Sequence, residues 1–141
     1  MQTLQLPQNR YATIDDDDYE ELSKYKWWLD GKGYVQTKVK RKNITLHQMI
    51  LGKRKGFEID HINHDKLDNR KTNLRHCTVS QNQMNRKVKG YCYNKVAKKF
   101  QAYIQVYGKV VSLGYFIKKE DAIVARKQGE QKYFKEYAYK E

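Results

Sequence analysis

Basic side chains dominate this chain to a degree that limits what it can become. Lys and Arg number 29 against 16 Asp and Glu, a formal net charge of +13 over 141 residues. Packed into one globule, that charge repels itself, so a chain carrying it is expected to work against a polyanion. Apolar side chains offset the repulsion poorly, since 39% of the residues are hydrophobic and only four are Phe. One large core is therefore not expected; the chain suits one ordinary domain or two very small ones. Lysine as a plain solubiliser is the simpler alternative, and the 12 Tyr together with two local motifs argue against it.

Cys77 and Cys92 form no CxxC pair. This excludes a structural zinc held by cysteines and disfavours a disulfide framework, so a reduced, cytoplasmic setting is expected. No apolar run reaches about 18 residues. Met1–Pro7 lacks the basic and apolar regions of a signal peptide. No membrane partner is expected, and a monomer is the simplest assembly.

Residues 10–14 (Arg-Tyr-Ala-Thr-Ile) read as a strand, and the acidic run Asp15–Asp18 reads as the start of a short helix whose dipole it complements. A metal site in that run is the weaker reading, because contiguous carboxylates do not converge without a turn built for it. Trp27-Trp28-Leu29 predicts a buried patch, Gly31–Gly33 a turn, Tyr34–Val39 a strand and Arg41–Asn43 a second turn. Ile44–Leu51 is expected to begin extended and end helical, followed by a basic loop from Gly52 to Gly56.

Residues 58–86 carry the densest chemistry. Phosphodiester hydrolysis needs a base to activate water, a hard cation on the phosphate, and a scaffold holding the two in register. Asp60 and His61 close a strand-like run containing Phe57 and Ile59. Asp60 offers a hard oxygen suited to Mg²⁺ or Mn²⁺, and His61 can accept a proton near neutral pH. Leu74–Thr78 reads as a second strand, with Ser80 as a helix N-cap and Asn82 in the first turn that follows.

The Asp-His pair, the Asn-Leu-Arg twelve residues after the His, and the Asn opening a helix resemble the HNH endonucleases, in particular the ββα-metal nucleases of phages and mobile introns. The resemblance covers about residues 44–87. It implies that Asp60 and Asn82 ligate a divalent metal (Mg²⁺ or Mn²⁺), that His61 is the general base, and that Asn73 orients the loop. It also leaves His47 balanced between a packing and an active-site role. A zinc set drawn from His47, His61, His64 and Asp60 is disfavoured by an Asn in the third position. His64 and His76 receive no role.

After Arg86 the texture changes. Residues 87–141 hold 13 basic and 5 acidic side chains, a net of +8, which puts a module boundary near 86–89. Phe100, Ala102, Ile104 and Val106 alternate with Gln101, Tyr103, Gln105 and Tyr107, as on a strand with one apolar face. Gly108-Lys109 turns into a second strand over Val110–Phe116, Lys89–Tyr93 can supply another, and a helix is expected from Glu120 to about Tyr133. Three strands on one helix, with Leu-Gly-Tyr-Phe before an Ala-bearing helix, resembles the AP2 DNA-binding domain over about residues 88–134. Its outer-face positions fall here on Cys92, Tyr103, Gln105, Val110 and Ser112, and the Arg and Trp base readers of that family are absent. Bidentate Arg–guanine contacts are therefore unavailable there. Lys89, Lys95, Lys98, Lys99 and Lys109 are expected to hold phosphates, with polar contacts from Tyr103, Gln105 and Ser112.

The expected fold class is α+β. An N-terminal strand/helix/strand region (1–43) supports a ββα-metal HNH module (44–87), and an AP2-like three-stranded antiparallel sheet packed on one helix follows (88–137). The expected activity is metal-dependent cleavage of double-stranded DNA, by nick or double-strand break, with a phage or mobile-element homing endonuclease as one form. The competing expectations are a non-catalytic DNA-binding regulator that uses the HNH segment as a scaffold, and an RNA binder that stacks bases on Tyr.

Overall fold

Leu4 and Leu6 on one strand, and Ala12 and Ile14 on the next, alternate with more exposed neighbours. That period of two turns their side chains to one face and builds an antiparallel hairpin from β1 (Gln2–Leu6) and β2 (Arg10–Ile14). The computed structural model describes residues 1–139. Among them it holds small antiparallel sheets and four α-helices, in two compact units that divide between Val79 and Ser80. The compositional shift, by contrast, lies at 86–89.

In the first unit α1 (Asp16–Leu22) carries Asp16, Asp17 and Asp18 in its first turn, as dipole complementarity requires. β3 (Trp28–Leu29), β4 (Val35–Val39) and β5 (Lys42–Thr45) form a three-stranded sheet in that order. Two adjacent left-handed residues, Lys40 (φ 46°) and Arg41 (φ 66°), make the β4–β5 turn. The turn thus sits one residue earlier than the expected Arg41–Asn43, and Lys42 and Asn43 pair opposite Val39 and Lys38. β5 passes directly into α2 (Leu46–Leu51), the expected change from extended to helical backbone. β6 (Glu58–His61) and β7 (Leu74–Cys77) form the last hairpin. Leu4, Leu6, Ala12, Ile14, Leu22, Trp27, Val35 and Leu46 are the buried core. Trp27 satisfies its indole N–H by donating to the Leu22 carbonyl at 2.8 Å.

α3 (Val79–Met84) opens one residue before the expected Ser80 cap, so Ser80 lies inside the helix and Asn82 still falls in the first turn. In the second unit β8 (Tyr91–Asn94), β9 (Lys99–Val106) and β10 (Lys109–Phe116) form an antiparallel sheet with β9 in the centre. Tyr107 (φ 48°) and Gly108 (φ 80°) make the β9–β10 turn, and Lys109 already pairs with Val106. α4 (Lys119–Tyr133) lays Ala122, Arg126 and Gly129, one stripe at helical spacing, into buried positions. Gly129 lets the helix approach the sheet closely: a Cβ there would meet Leu113 Cδ1 at 2.7 Å, so the Leu113 side chain would have to shift.

Arg126 is the unusual member of that stripe. Its Nε donates to Glu130 Oε1 at 2.7 Å and its Nη1 to the Tyr103 carbonyl at 2.7 Å. The guanidinium therefore pins the helix to the central strand while its charge is balanced one turn away. Removing one partner of a buried pair strands the other without a counter-charge. Arg126→Ala is expected to destabilise this unit by about 3 kcal/mol, read as a lowered midpoint in urea unfolding followed by signals from the second unit.

Candidate active site

The β6–β7 register sets Asp60 opposite Arg75 and His61 opposite Leu74. Neighbours on a strand face opposite ways, so the acid and the imidazole enter different surroundings. Asp60 is 8% exposed. Its Oδ2 accepts from Arg75 Nε at 3.0 Å and from Nη2 at 2.8 Å. A carboxylate this buried needs a compensating cation, and the cross-strand Arg supplies it.

His61 is 5% exposed, and its Nε2 lies 3.2 Å from Asn69 Oδ1. Its ring packs edge-on against His47, with centroids 5.3 Å apart at 89°, and lies 6.0 Å from Tyr34. His47 in turn sits 5.4 Å from Tyr34 and bonds Thr45 Oγ1 through Nε2 at 3.0 Å. The position of His47, at the junction of β5 and α2, thus brings it onto the His61 ring. Lys66 Nζ lies 4.4 Å from the centre of the Tyr34 ring and donates to the Lys32 carbonyl at 2.6 Å.

Burial holds both imidazoles towards their neutral forms. The His47 pKa is lowered to about 4, first by desolvation and then by the neighbouring His61. Desolvation also lowers that of His61, against the opposing hydrogen bond to Asn69 and the charges of Asp60, Asp65 and Asp68.

The loop between the two strands is built from side-chain amides and carboxylates. Asn73, in a short 3-10 turn over Lys71–Asn73, accepts the Asn63 backbone N–H on Oδ1 at 3.0 Å and donates from Nδ2 to the Asp68 carbonyl at 2.7 Å. Asp68 is held by Arg70 through Nε and Nη2 on one edge of the guanidinium (2.8 and 2.6 Å) and by Asn63 Nδ2 (3.0 Å). The Arg70 hydrogen bonds keep its carboxyl below the usual carboxylate range. Asn63 Oδ1 and Asp65 Oδ1 close successive turns on the N–H groups of Asp65 and Leu67.

The N-terminal region braces this loop. Thr13 N–H donates to the Leu67 carbonyl and Asn69 N–H to the Thr13 carbonyl, both at 2.8 Å. Asp15 Oδ2 accepts the Lys71 N–H at 2.7 Å, and Asp18 Oδ1 pairs with Lys71 Nζ at 2.8 Å. The acidic run therefore does more than complement a helix dipole. Asp15 precedes the helix without a side-chain capping bond to it.

The structure thus gathers His61, His47 and the loop that Asn73 orders, with Asp60 next to His61 in β6. Asn82 lies on α3, within the second unit. Among the described residues, no group of three His, Cys, Asp or Glu side chains converges as a metal cage. Sequence reasoning missed Arg75, Asn69 and Tyr34. The cross-strand place of Arg75 follows from pairing the two predicted strands, whereas no spacing marks Asn69 or Tyr34.

On the second unit Gln105 pairs across with Val110, and Tyr103 with Ser112, so these four share the sheet surface away from Ile104 and Ala102. Gln105, Val110 and Ser112 are exposed and Tyr103 is half-buried, while Cys92 is exposed opposite Gln101. Lys89, Lys95, Lys98, Lys99 and Lys109 are all exposed. They do not form one cluster. Lys95, Lys98 and Lys99 crowd the β8–β9 turn, and Lys109 lies at the far end of β9, a strand length of roughly 23 Å away.

Comparison with known proteins bears on the first of these regions. Residues 48–84 match a family model described as HNH endonuclease, a span that includes Asp60, His61, Asn73 and Asn82 and starts one residue after His47. The chain is also 35% identical over 81 residues to an uncharacterized HNH endonuclease of Acanthamoeba polyphaga mimivirus, covering 54% of this chain and 43% of the relative. The chain therefore spans less than half the length of that relative. No solved structure matches. Among the described residues no helix is long and apolar enough to cross a membrane.

The downward pKa shifts of His47 and His61 predict an acid-sensitive fold. The unfolded chain takes up protons near the ordinary value of 6.5, whereas folded His47 resists until about 4. Stability should be complete above about pH 7, fall as the pH drops through 6.5, and keep falling towards 4. Thermal unfolding midpoints between pH 7.5 and 4.5 should follow that course. His47→Gln should remove part of the acid sensitivity, leaving the share contributed by His61.

Proposed function

We propose that this protein is a divalent-metal-dependent DNA endonuclease of the HNH type. The observation that carries the reading is His61: a buried imidazole held towards its neutral form, beside a buried carboxylate, inside the segment that matches the HNH endonuclease model. A general base must be unprotonated at working pH and fixed in place.

In this reading His61 takes the proton from the attacking water. Asp60 and Asn82 hold Mg²⁺ or Mn²⁺. One carboxylate and one amide oxygen are hard donors of the kind Mg²⁺ or Mn²⁺ prefers, and such a cation would share its remaining positions with water and substrate phosphate. Bound there, the cation supplies charge stabilisation to the phosphate oxygens and the leaving oxygen. Asn73 keeps the loop from Ile62 to Asn73 folded over its own backbone and so holds the end of β6. The second unit, read as an AP2-like grip, binds duplex phosphates through Lys89, Lys95, Lys98, Lys99 and Lys109, with Tyr103, Gln105 and Ser112 on the same sheet available for polar contacts.

Supercoiled plasmid should be cut with Mg²⁺ or Mn²⁺ and left intact with EDTA; full activity in chelator would contradict the reading. His61→Ala should slow cleavage by ~10²-fold or more. Asp60→Asn, which keeps an acceptor for Arg75, should abolish cleavage while DNA binding persists. Replacing Lys95, Lys98 and Lys99 together by Gln should weaken binding and reduce the log–log salt slope by about 3, from three lost phosphate contacts. An unchanged slope would remove these lysines from the interface.

A further inference from the structure

Asn69 is 1% exposed, the most buried polar side chain in the loop, and no role follows for it from the matched motif. Its amide has a polar partner on each side: Oδ1 lies 3.2 Å from His61 Nε2, and Nδ2 donates to the Lys66 carbonyl at 3.0 Å. Its backbone N–H is tied to the Thr13 carbonyl at 2.8 Å. Only one orientation of the amide is compatible with these neighbours. Turned over, Oδ1 would face the Lys66 carbonyl oxygen, acceptor against acceptor, in a site sealed from water. With Oδ1 towards the ring, the imidazole nitrogen facing it must be the one that carries the hydrogen.

We propose that Asn69 is the positioning residue of the site, fixing His61 as the Nε2–H tautomer so that Nδ1 keeps the lone pair that takes the proton from water. This rests on the reading of His61 as the general base. The chain of support is short: β2 holds the Asn69 backbone through Thr13, the Lys66 carbonyl fixes the amide, and the amide fixes the ring. His47 meets the ring edge-on at 5.3 Å and limits its tilt. In the reaction water gives one proton to Nδ1, leaving an imidazolium protonated on both nitrogens. The water oxygen bonds to phosphorus as the bond from phosphorus to the leaving oxygen breaks, and that oxygen is then protonated from solvent. The positive charge formed on the ring is shared with Asn69 through Nε2–H···Oδ1, so the contact strengthens as the proton arrives.

The test reads the proton directly. Long-range ¹H–¹⁵N spectra of the full chain labelled at histidine, without metal or DNA and at a pH where the ring is neutral, report which nitrogen of His61 is protonated. The proposal expects a protonated-type Nε2 and a lone-pair-type Nδ1; the reverse assignment overturns it, and this measurement needs no variant. Asn69→Leu should give a mixture of tautomers and lower kcat by about 10- to 100-fold, less than His61→Ala, with KM near the parental value. An Asn69→Leu protein with the parental tautomer and the parental kcat would overturn the proposal. If the parental chain shows Nε2–H but does not cut DNA, the proton placement stands and the nuclease reading falls.

Discussion

The amide of Asn73 spans the loop that joins the two strands of the candidate site, and the local geometry depends on it. One end of the amide takes the Asn63 N–H and the other gives to the Asp68 carbonyl, so two points five residues apart are closed on one side chain. An irregular loop this close to a buried strand end would otherwise leave main-chain polar groups without partners, each costing on the order of 1–3 kcal/mol. With those groups satisfied, Asn63, Asp65 and Asp68 can close their own turns, and Asn69 is delivered to His61. The N-terminal hairpin and the acidic run hold the outside of the same loop through Thr13, Asp15 and Asp18. Thr13, Asp15 and Asp18 therefore act structurally on the loop that carries Asn69 and Asn73.

Two buried charges are managed in different ways. Asp60 remains a carboxylate inside the hairpin because Arg75 lies directly across the ladder. His61 and His47 instead hydrogen-bond the neutral side chains of Asn69 and Thr45, and burial drives them towards neutrality. Carboxylate and imidazole, adjacent in sequence, thus meet opposite surroundings: a cation faces one across the ladder, and burial presses the other towards its neutral form. In the nuclease reading proposed above, that difference suits one to hold a cation and the other to accept a proton.

Much of the architecture was legible in the sequence because it rests on local periodicity. The alternation Phe100–Tyr107 predicted β9 and its faces, and Tyr107-Gly108 marks its turn, read one residue late because Lys109 already pairs. The change from strand to helix across Ile44–Leu51 and the strands bearing Asp60 and Leu74 were equally visible. Hidden features depend on long-range register or on buried amides. Tyr34 meets His47 and His61 only because β4, α2 and β6 come together. Asn69 looks like one more loop asparagine until its burial is seen. Ser80 is a good capping residue by type, yet the helix begins at Val79, a boundary that side-chain preference alone sets loosely.

The most direct test of this account couples loop order to activity. Amide hydrogen exchange at Asn63 should be measured in the parental chain and in Asn73→Ala, beside plasmid cleavage by the same samples. The account predicts that the substitution speeds exchange at Asn63 and its loop neighbours, leaves β9 and β10 protected as before, and lowers cleavage in step. Cleavage at the parental rate with an opened loop would contradict it, because the ordered loop would then have no part in presenting His61 and Asp60.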